Sequence, residues 1–258
     1  MSVSTDISLV CKPSDIRELY GDGMKSVEVI GWRWAESFLQ QAGREGLTIW
    51  RLHGRIGNGA RELAPKARIG LLNQLLLPTR QLVRLANKYR IERILLHASE
   101  VEENWKEIVS VCKGIEVSVE NSDRKGAGIK EAFEAAKKLR NEGIAAKVVG
   151  DIGHFGLEMK NKYLGDDLIQ QFLSNMSKFR EEYEMITGAH LPINKESDKG
   201  AIDLDEMSDT ALAAFIHQFE DLVIENQVNP FLQLNPSYMN RFRSNTQRRW
   251  ERIKRLSI

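Results

Sequence analysis

The sequence predicts a single-domain (β/α)8 TIM barrel that spans residues 1–258. Short β-rich runs alternate with longer stretches in which apolar residues recur at helical spacing. Eight such units follow one another with no Gly/Ser/Pro-rich linker, which favours closure into one barrel over two domains. The chain has 258 residues, and barrels of this kind need about 250. A doubly wound open sheet is the structural alternative.

The eight candidate strands are rich in β-branched and other apolar residues. Between them lie helical patterns, such as the apolar stripe of Ile129, Phe133 and Leu139. The stretch 67–90 contains Pro78 and is predicted to hold two helices or one kinked helix. The strands are, in chain order, ISLVC, SVEVIGW, LTIWRLHG, RILLHAS, IEVSVEN, AAKVVGD, MITGAHL and DLVIEN.

The composition is that of a globular chain in a reducing compartment. Hydrophobic residues make up 42% of it and the formal net charge is +1, so no global field attracts nucleic acid or an anionic membrane. Cys11 and Cys112 lie outside any C-x-x-C spacing, which argues against a disulfide framework or thiolate site and predicts a cytoplasmic protein. No signal peptide is recognisable, and no apolar run reaches the roughly 18 residues of a membrane span, so we expect no membrane partner.

Polar residues finish six successive strands. In a parallel barrel alternate strand residues point inward, and the carboxyl ends of the strands form the rim that carries the chemistry. In IEVSVEN this parity turns the apolar residues toward the helices and leaves Glu116, Ser118 and Glu120 inside. One polar strand end is usually a solvated end, but six in succession predict a site. They are His53, His97, Glu120, Asp151, His190 and Glu225.

Four of these residues form a candidate metal site: Glu120, Asp151, His190 and Glu225 come from neighbouring strands and should converge on one spot. Three carboxylates packed together repel one another unless a cation neutralises them. One imidazole with three carboxylates suits Mn²⁺ or Mg²⁺, and Co²⁺, Fe²⁺ or Zn²⁺ are also acceptable. An interior salt-bridge network without a metal is the alternative.

Strands three to eight resemble the xylose-isomerase-like barrel superfamily. The resemblance depends on VEN around Glu120, D-x-x-H at Asp151 and His154, AHL around His190, and IEN around Glu225. The superfamily includes sugar isomerases, 3-epimerases, hydroxypyruvate isomerases and endonuclease-IV-type abasic-site nucleases. In its sugar enzymes the residues matching the four candidate ligands hold one metal, the two glutamates exchange protons with the substrate, and the histidine matching His154 binds a substrate oxygen.

The resemblance therefore implies a divalent-metal-dependent isomerase or epimerase that acts on a small sugar or sugar phosphate through an enediolate. A metal that grips the carbonyl and neighbouring hydroxyl acidifies the carbon-bound hydrogen, and a carboxylate within reach can then move the proton. On this reading Glu120, Glu225 and His154 are catalytic, and His53 and His97 contact substrate oxygens.

The alternative is a metal-dependent phosphodiesterase of the abasic-site nuclease type, which would make nucleic acid a partner. The nucleases have histidines where His53 and His97 stand, and these could hold a second metal. The nucleases also use an Asp-x-His pair after the seventh strand for a third zinc, but NKESDKGAIDLDEM contains no histidine there, and Asp203 could replace only part of the pair. A noncatalytic ligand-binding barrel is a third alternative. No motif defines a symmetry, although the chain is compatible with a homo-oligomer.

Two basic regions have open interpretations. The loop after His53 contains Arg55, which is a candidate substrate-binding residue, and is either a phosphate site or a solvated loop. The C-terminal helix is either a DNA-facing stripe or a closing helix with a basic outer face, and the apolar side of the helix favours the latter. Its cations are Arg241, Arg243, Arg248, Arg249, Arg252, Lys254 and Arg255.

The strand parity also places charged residues inside the barrel below the rim. Unpaired charges there would be costly, so we predict an interior ion-pair network that includes Glu116 and Lys147. Arg51 and Arg93 should point into the same interior.

Overall fold

The computed structural model describes residues 2–7, 13–31, 35–54, 77–122, 128–179, 184–193, 202–226 and 235–258. Eight parallel strands follow the chain order, and pairing of the first with the last closes the barrel. The predicted fold class is therefore confirmed, whereas the extent of the domain, 1–258, stays a prediction. The strands are β1 Ser2–Ile7, β2 Ser26–Ile30, β3 Thr48–His53, β4 Arg93–His97, β5 Glu116–Glu120, β6 Ala146–Asp151, β7 Ile186–Pro192 and β8 Asp221–Glu225.

Helices surround the strands and pack against their outer faces. Short 3-10 turns occupy Gly21–Gly23 and Leu204–Glu206. Within the described ranges no helix is both long and apolar enough to span a membrane. The α-helices of these ranges are α1 Pro13–Tyr20, α2 Ala35–Arg44, α3 Thr79–Tyr89, α4 Ala98–Glu103, α5 Trp105–Val111, α6 Ile129–Asn141, α7 Ile152–Glu158, α8 Gly165–Ser177, α9 Asp209–Gln218 and α10 Pro236–Leu256.

The main hydrophobic core lies between the strands and the helices. The predicted stripe of α6 is buried there, including Phe133 and Leu139. Val117 and Val119 of β5 face the same layer, as the parity requires. Burial of each large apolar side chain stabilises the fold by about 1.5–3 kcal/mol, so this outer layer holds the barrel together.

The first strand lies earlier in the chain than predicted. The candidate run ISLVC begins at Ile7, but β1 is Ser2–Ile7 and residues 8–12, including Cys11, are outside the described ranges. The prediction favoured the more apolar run, whereas the alternation of Val3, Thr5 and Ile7 with polar residues is the actual strand pattern.

The helix in the Pro78 region begins where proline permits. Pro78 is the N-cap of α3, with a φ of −58°, and proline is tolerated at a helix start because its missing N–H has no helical partner there. The earlier part of the predicted stretch, 67–76, is outside the described ranges.

The interior ion-pair network is confirmed at the amino-terminal mouth of the barrel. Glu116 lies 3.1 Å from Arg93 Nε and 3.8 Å from Lys147 Nζ. Arg93 also lies 3.8 Å from Asp221 of β8. The parity of β4, β5 and β6 is therefore as predicted, and the same parity directs the strand-end residues toward the rim.

Most basic residues of α10 form ion pairs with neighbouring carboxylates, which favours a closing helix. Asp205 binds Arg248 and Arg249, each at 2.7 Å. Asp209 binds Arg252 at 2.7 Å and Arg255 at 2.8 Å. Two further pairs are Arg243 with Glu18 and Lys254 with Glu251. Six of the seven cations therefore serve attachment of the helix or local pairing.

Candidate metal centre

The residues that finish six strands meet at the carboxyl end of the barrel. The register places His53 opposite Ile30, His97 opposite Glu120, and Asp151 opposite His190. Glu120, Asp151 and His190 are completely buried, and Glu225 is nearly so. Four of the five histidines of the chain belong to this cluster, because His154 at the start of α7 joins it.

His190 is surrounded by the three predicted carboxylate ligands. Its Nδ1 atom lies 2.6 Å from Glu120 Oε1, 3.1 Å from Glu225 Oε1 and 3.9 Å from Asp151 Oδ2. A single ring proton cannot serve three carboxylates at once. A cation at the point where these atoms meet would neutralise the carboxylates that the single ring proton does not reach.

The second oxygen of Glu120 faces two more imidazoles. Oε2 lies 3.1 Å from His97 Nε2 and 3.4 Å from His53 Nε2. His53 Nδ1 lies 3.2 Å from the carbonyl oxygen of Gly54, which can only accept a hydrogen bond. In a neutral His53 the proton is then on Nδ1, and the Nε2 lone pair points at a carboxylate oxygen. A cation between the two would remove this repulsion.

Asn121 fixes the position of Asp151. Its Nδ2 donates to the Asp151 carbonyl at 2.9 Å, and its Oδ1 accepts from the Asp151 N–H at 2.7 Å. Asp151 is in turn the N-cap of α7, where its Oδ1 accepts from the backbone N–H of His154 at 2.8 Å. These bonds leave Oδ2 directed at the cluster.

His154 is the most solvent-accessible of the clustered histidines, with 18% of its side chain exposed. Its Nδ1 lies 2.9 Å from the backbone carbonyl of Asn121, which fixes the ring. The ring centroid lies 5.4 Å from that of His97. His154 is thus beside the candidate ligands rather than among them.

The buried carboxylates and imidazoles of the site shift one another's pKa values. Burial alone would raise the pKa of Glu120, but His190 and His53 lower it well below its usual range. Burial raises the pKa of Asp151, and the charge of Glu120 adds to this rise. Burial would lower the pKa of His190, but Glu120 outweighs it and raises that pKa well above its usual value. In contrast, burial keeps the pKa of His97 below its usual value.

The donor set fits a divalent cation. One donor atom from each of Glu120, Asp151, His190 and Glu225 lies within 4.8 Å of the other three, and His53, His97 and Glu120 form a second such group. Both oxygens of Glu120 and Oδ2 of Asp151 are buried and make no hydrogen bond of acceptable geometry within the described ranges. Buried carboxylate oxygens of this kind are costly unless a cation binds them.

Two further residues belong to the site. Glu28 was not predicted from the sequence, and Arg51 was predicted only to point into the barrel interior. Glu28 of β2 is completely buried, and its Oε2 accepts from Arg51 Nε at 2.5 Å. Arg51 Nη2 also lies 2.9 Å from His190 Nε2. The strand parity could have found Glu28, because Val27 and Val29 on either side of it belong to the outer core.

The outcome differs for two other predicted residues, Arg55 and Asp203. Arg55 and its loop lie in the range 55–76, outside the described residues. Asp203, considered as a partial replacement for a third-metal ligand, instead caps the 3-10 turn Leu204–Glu206 and binds Arg249 at 3.0 Å. Asp203 is therefore paired with Arg249 rather than directed at the candidate metal cluster.

Comparison with known proteins reveals the fold. No protein-family model matches the sequence, and no curated protein is significantly similar to it. A xylose isomerase domain containing protein from Salmonella typhimurium LT2 has a TM-score of 0.54 and 12% identity, over 99% of this chain and 96% of that one. The spore coat polysaccharide biosynthesis protein spsE from Bacillus subtilis has a TM-score of 0.54 and 8% identity, over 99% of this chain and 67% of that one.

A third similar structure belongs to an enzyme with a different activity. A lysine/ornithine decarboxylase from Vibrio vulnificus, in complex with cadaverine, has a TM-score of 0.51 and 12% identity, over 87% of this chain and 55% of that one. Unrelated chemistries therefore share this architecture, as is common for barrels. The chain therefore has a TIM-barrel fold, which it shares with all three proteins, a xylose isomerase domain containing protein among them.

Proposed function

We propose that this protein is a divalent-metal-dependent isomerase or epimerase that acts on a sugar or sugar phosphate through an enediolate. The principal support is the buried group of Glu120, Asp151, His190 and Glu225, whose oxygen-rich donors suit Mn²⁺ or Mg²⁺ and also accept Co²⁺, Fe²⁺ or Zn²⁺. The fold shared with a xylose isomerase domain containing protein adds to this support.

The proposed reaction removes a proton from a substrate carbon and returns a proton to the neighbouring carbon in an isomerisation, or to the opposite face of the same carbon in an epimerisation. A bound divalent ion would polarise the carbonyl and stabilise the negative charge of the enediolate. Glu120 and Glu225 both contact His190 Nδ1, so their carboxylates lie within reach of one small substrate. One glutamate accepts the proton from carbon, and the other returns a proton to the same carbon or to its neighbour. In the isomerisation the hydroxyl proton also passes to the former carbonyl oxygen.

His154 orients the substrate in this proposal. Its Nδ1 binds the carbonyl of Asn121, so a neutral ring has its proton there and presents Nε2 as an acceptor for a sugar hydroxyl. His53 and His97 then bind other substrate oxygens. Because most of the site is buried, these contacts operate where water competes little.

The experiment is a metal analysis followed by a solvent-exchange assay. Elemental analysis of protein purified without added metal or chelator should find about one divalent ion per chain, as in other mononuclear sites. The Glu120→Gln/Asp151→Asn variant should lose it, whereas Glu116→Gln, which alters a carboxylate at the opposite mouth, should keep it. A sugar turned over in D₂O should gain deuterium at the reacting carbon. Absence of specific metal after reconstitution would reject the proposal.

A second candidate function is metal-dependent phosphodiester hydrolysis. It is favoured by the approach of His53 and His97 to the second oxygen of Glu120, which could then bridge two ions. Such a pair would supply an activated water and stabilise the leaving oxygen. Two ions per chain, loss of one in His53→Ala/His97→Ala, and cleavage of bis(p-nitrophenyl) phosphate would establish it. An abasic-site DNA duplex would then be the next substrate.

Cytoplasmic location and assembly into a homo-oligomer stay predictions. Size-exclusion chromatography with light scattering would measure the oligomeric state directly.

A further inference from the structure

Glu28 and Arg51 form a buried ion pair on one side of the His190 imidazole. Nδ1 of His190 faces the four-donor cluster, whereas Nε2 lies 2.9 Å from Arg51 Nη2 and 3.5 Å from Glu28 Oε1. Glu28 is completely buried, and its Oε1 accepts no hydrogen bond of acceptable geometry within the described part of the chain. Arg51 Nε binds the other oxygen, Oε2, at 2.5 Å.

The chemistry of imidazole gives these contacts a consequence. A neutral imidazole has one N–H, and a nitrogen that binds a cation must present its lone pair. If Nδ1 binds the cation, the proton is on Nε2 and requires an acceptor. Arg51 has only donors, so it cannot accept that proton. Glu28 Oε1 is the carboxylate oxygen that lies in position to do so.

We infer that Glu28 is a positioning residue of the metal centre: it accepts the Nε2–H of His190 and thereby directs the Nδ1 lone pair at the cation. Arg51 holds Glu28 in place through Oε2 and keeps it ionised. A carboxylate behind a ligating histidine fixes the orientation of the ring and strengthens the ligand. This inference rests on the proposed function, because it requires a cation at the four-donor cluster.

The same pair explains why Glu28 is better interpreted as a support than as another ligand. Glu28, His53 and His190 are close enough together to hold a cation of their own. However, the Arg51 guanidinium already contacts both Glu28 and His190. A metal bound there would be repelled by this fixed positive charge.

Titration calorimetry with Mn²⁺ on chelator-treated, dialysed protein tests the inference. Glu28→Leu/Arg51→Met removes both charges together and leaves no buried ion unpaired, so it should fold. We expect its Mn²⁺ affinity to fall about 10- to 100-fold. Glu28→Gln retains an acceptor oxygen and should lose less. Glu116→Gln, a carboxylate of the interior network that is remote from His190 in the strand register, should bind within about twofold of wild type.

A spectroscopic readout separates positioning from general stability. In ¹⁵N-histidine-labelled protein loaded with Zn²⁺, His190 should have its proton on Nε2, protected from solvent exchange in the wild type and exposed in Glu28→Leu/Arg51→Met. If wild type binds the cation and both Glu28 variants bind it equally well, this inference fails and the proposed function stands. If wild type binds no stoichiometric Mn²⁺ or Zn²⁺, the proposed metal centre fails and this inference fails with it.

Discussion

Replacement of Asn121 with alanine removes the two hydrogen bonds that hold the Asp151 backbone at the rim. Both bonds are buried, so the Asp151 N–H and C=O would lose their partners in a place that water does not reach. Each orphaned group costs about 1–3 kcal/mol, and the pair therefore about 2–6 kcal/mol of unfolding free energy. Displacement of Asp151 should also weaken metal binding by about 10- to 100-fold.

Urea unfolding followed by tryptophan fluorescence and far-UV circular dichroism measures the first effect, and Mn²⁺ calorimetry measures the second. The matched control is Ser118→Ala on β5, because Ser118 is equally buried and its hydroxyl makes no hydrogen bond within the described ranges. This control should change stability by no more than about 0.5 kcal/mol. Equal midpoints for Asn121→Ala and Ser118→Ala would refute the reasoning.

Three further predictions concern the close packing at Gly54, the ion pairs of α10 and the buried thiol of Cys112. Gly54→Ala should destabilise the protein by about 1–3 kcal/mol in thermal unfolding, because the new Cβ would lie 2.8 Å from the Leu95 carbonyl oxygen. Hydrogen bonds from Arg248 lower the pKa of Asp205. The stability that the ionised Asp205 carboxylate contributes is therefore fully present above its unfolded pKa of about 3.9. It is lost as pH falls through the lower pKa of the folded state. On acidification the free energy of unfolding of wild type should fall by about 1 kcal/mol more than that of Asp205→Asn. The effect is small because this carboxylate is 37% exposed. Equal acid sensitivity of the two proteins would contradict the prediction. Burial raises the pKa of Cys112 to about 12, so in a Cys11→Ser background the native protein should resist iodoacetamide at pH 8 until it is unfolded; rapid native labelling would be the contrary result.

The rim could be predicted because the strand period and the geometry of a parallel barrel act together. The two-residue period of a strand assigns Glu116 and Glu120 to the interior, and the parallel barrel brings all carboxyl ends to one face. The network at Glu116 and the contacts of Glu120 agree with this parity. No knowledge of the loops was needed.

The residues that support the rim were harder to predict. Asn121 follows a strand, and nothing local shows that its amide binds the backbone of a residue on the next strand. Glu28 is a single carboxylate in an apolar strand, and its meaning depends on Arg51 and on His190. Such contacts are set by tertiary geometry, which sequence periodicity does not contain.

The barrel interior has ionic groups at more than one level along its axis. Arg93 and Glu116 lie near the amino-terminal mouth, Glu28 and Arg51 lie beneath His190, and the four-donor cluster lies at the rim. Buried ion pairs contribute little net stability compared with apolar packing of the same volume. The outer layer between strands and helices must therefore provide most of the stabilisation. The interior is then free to hold charges that would be a poor core but serve to bind and orient a cation.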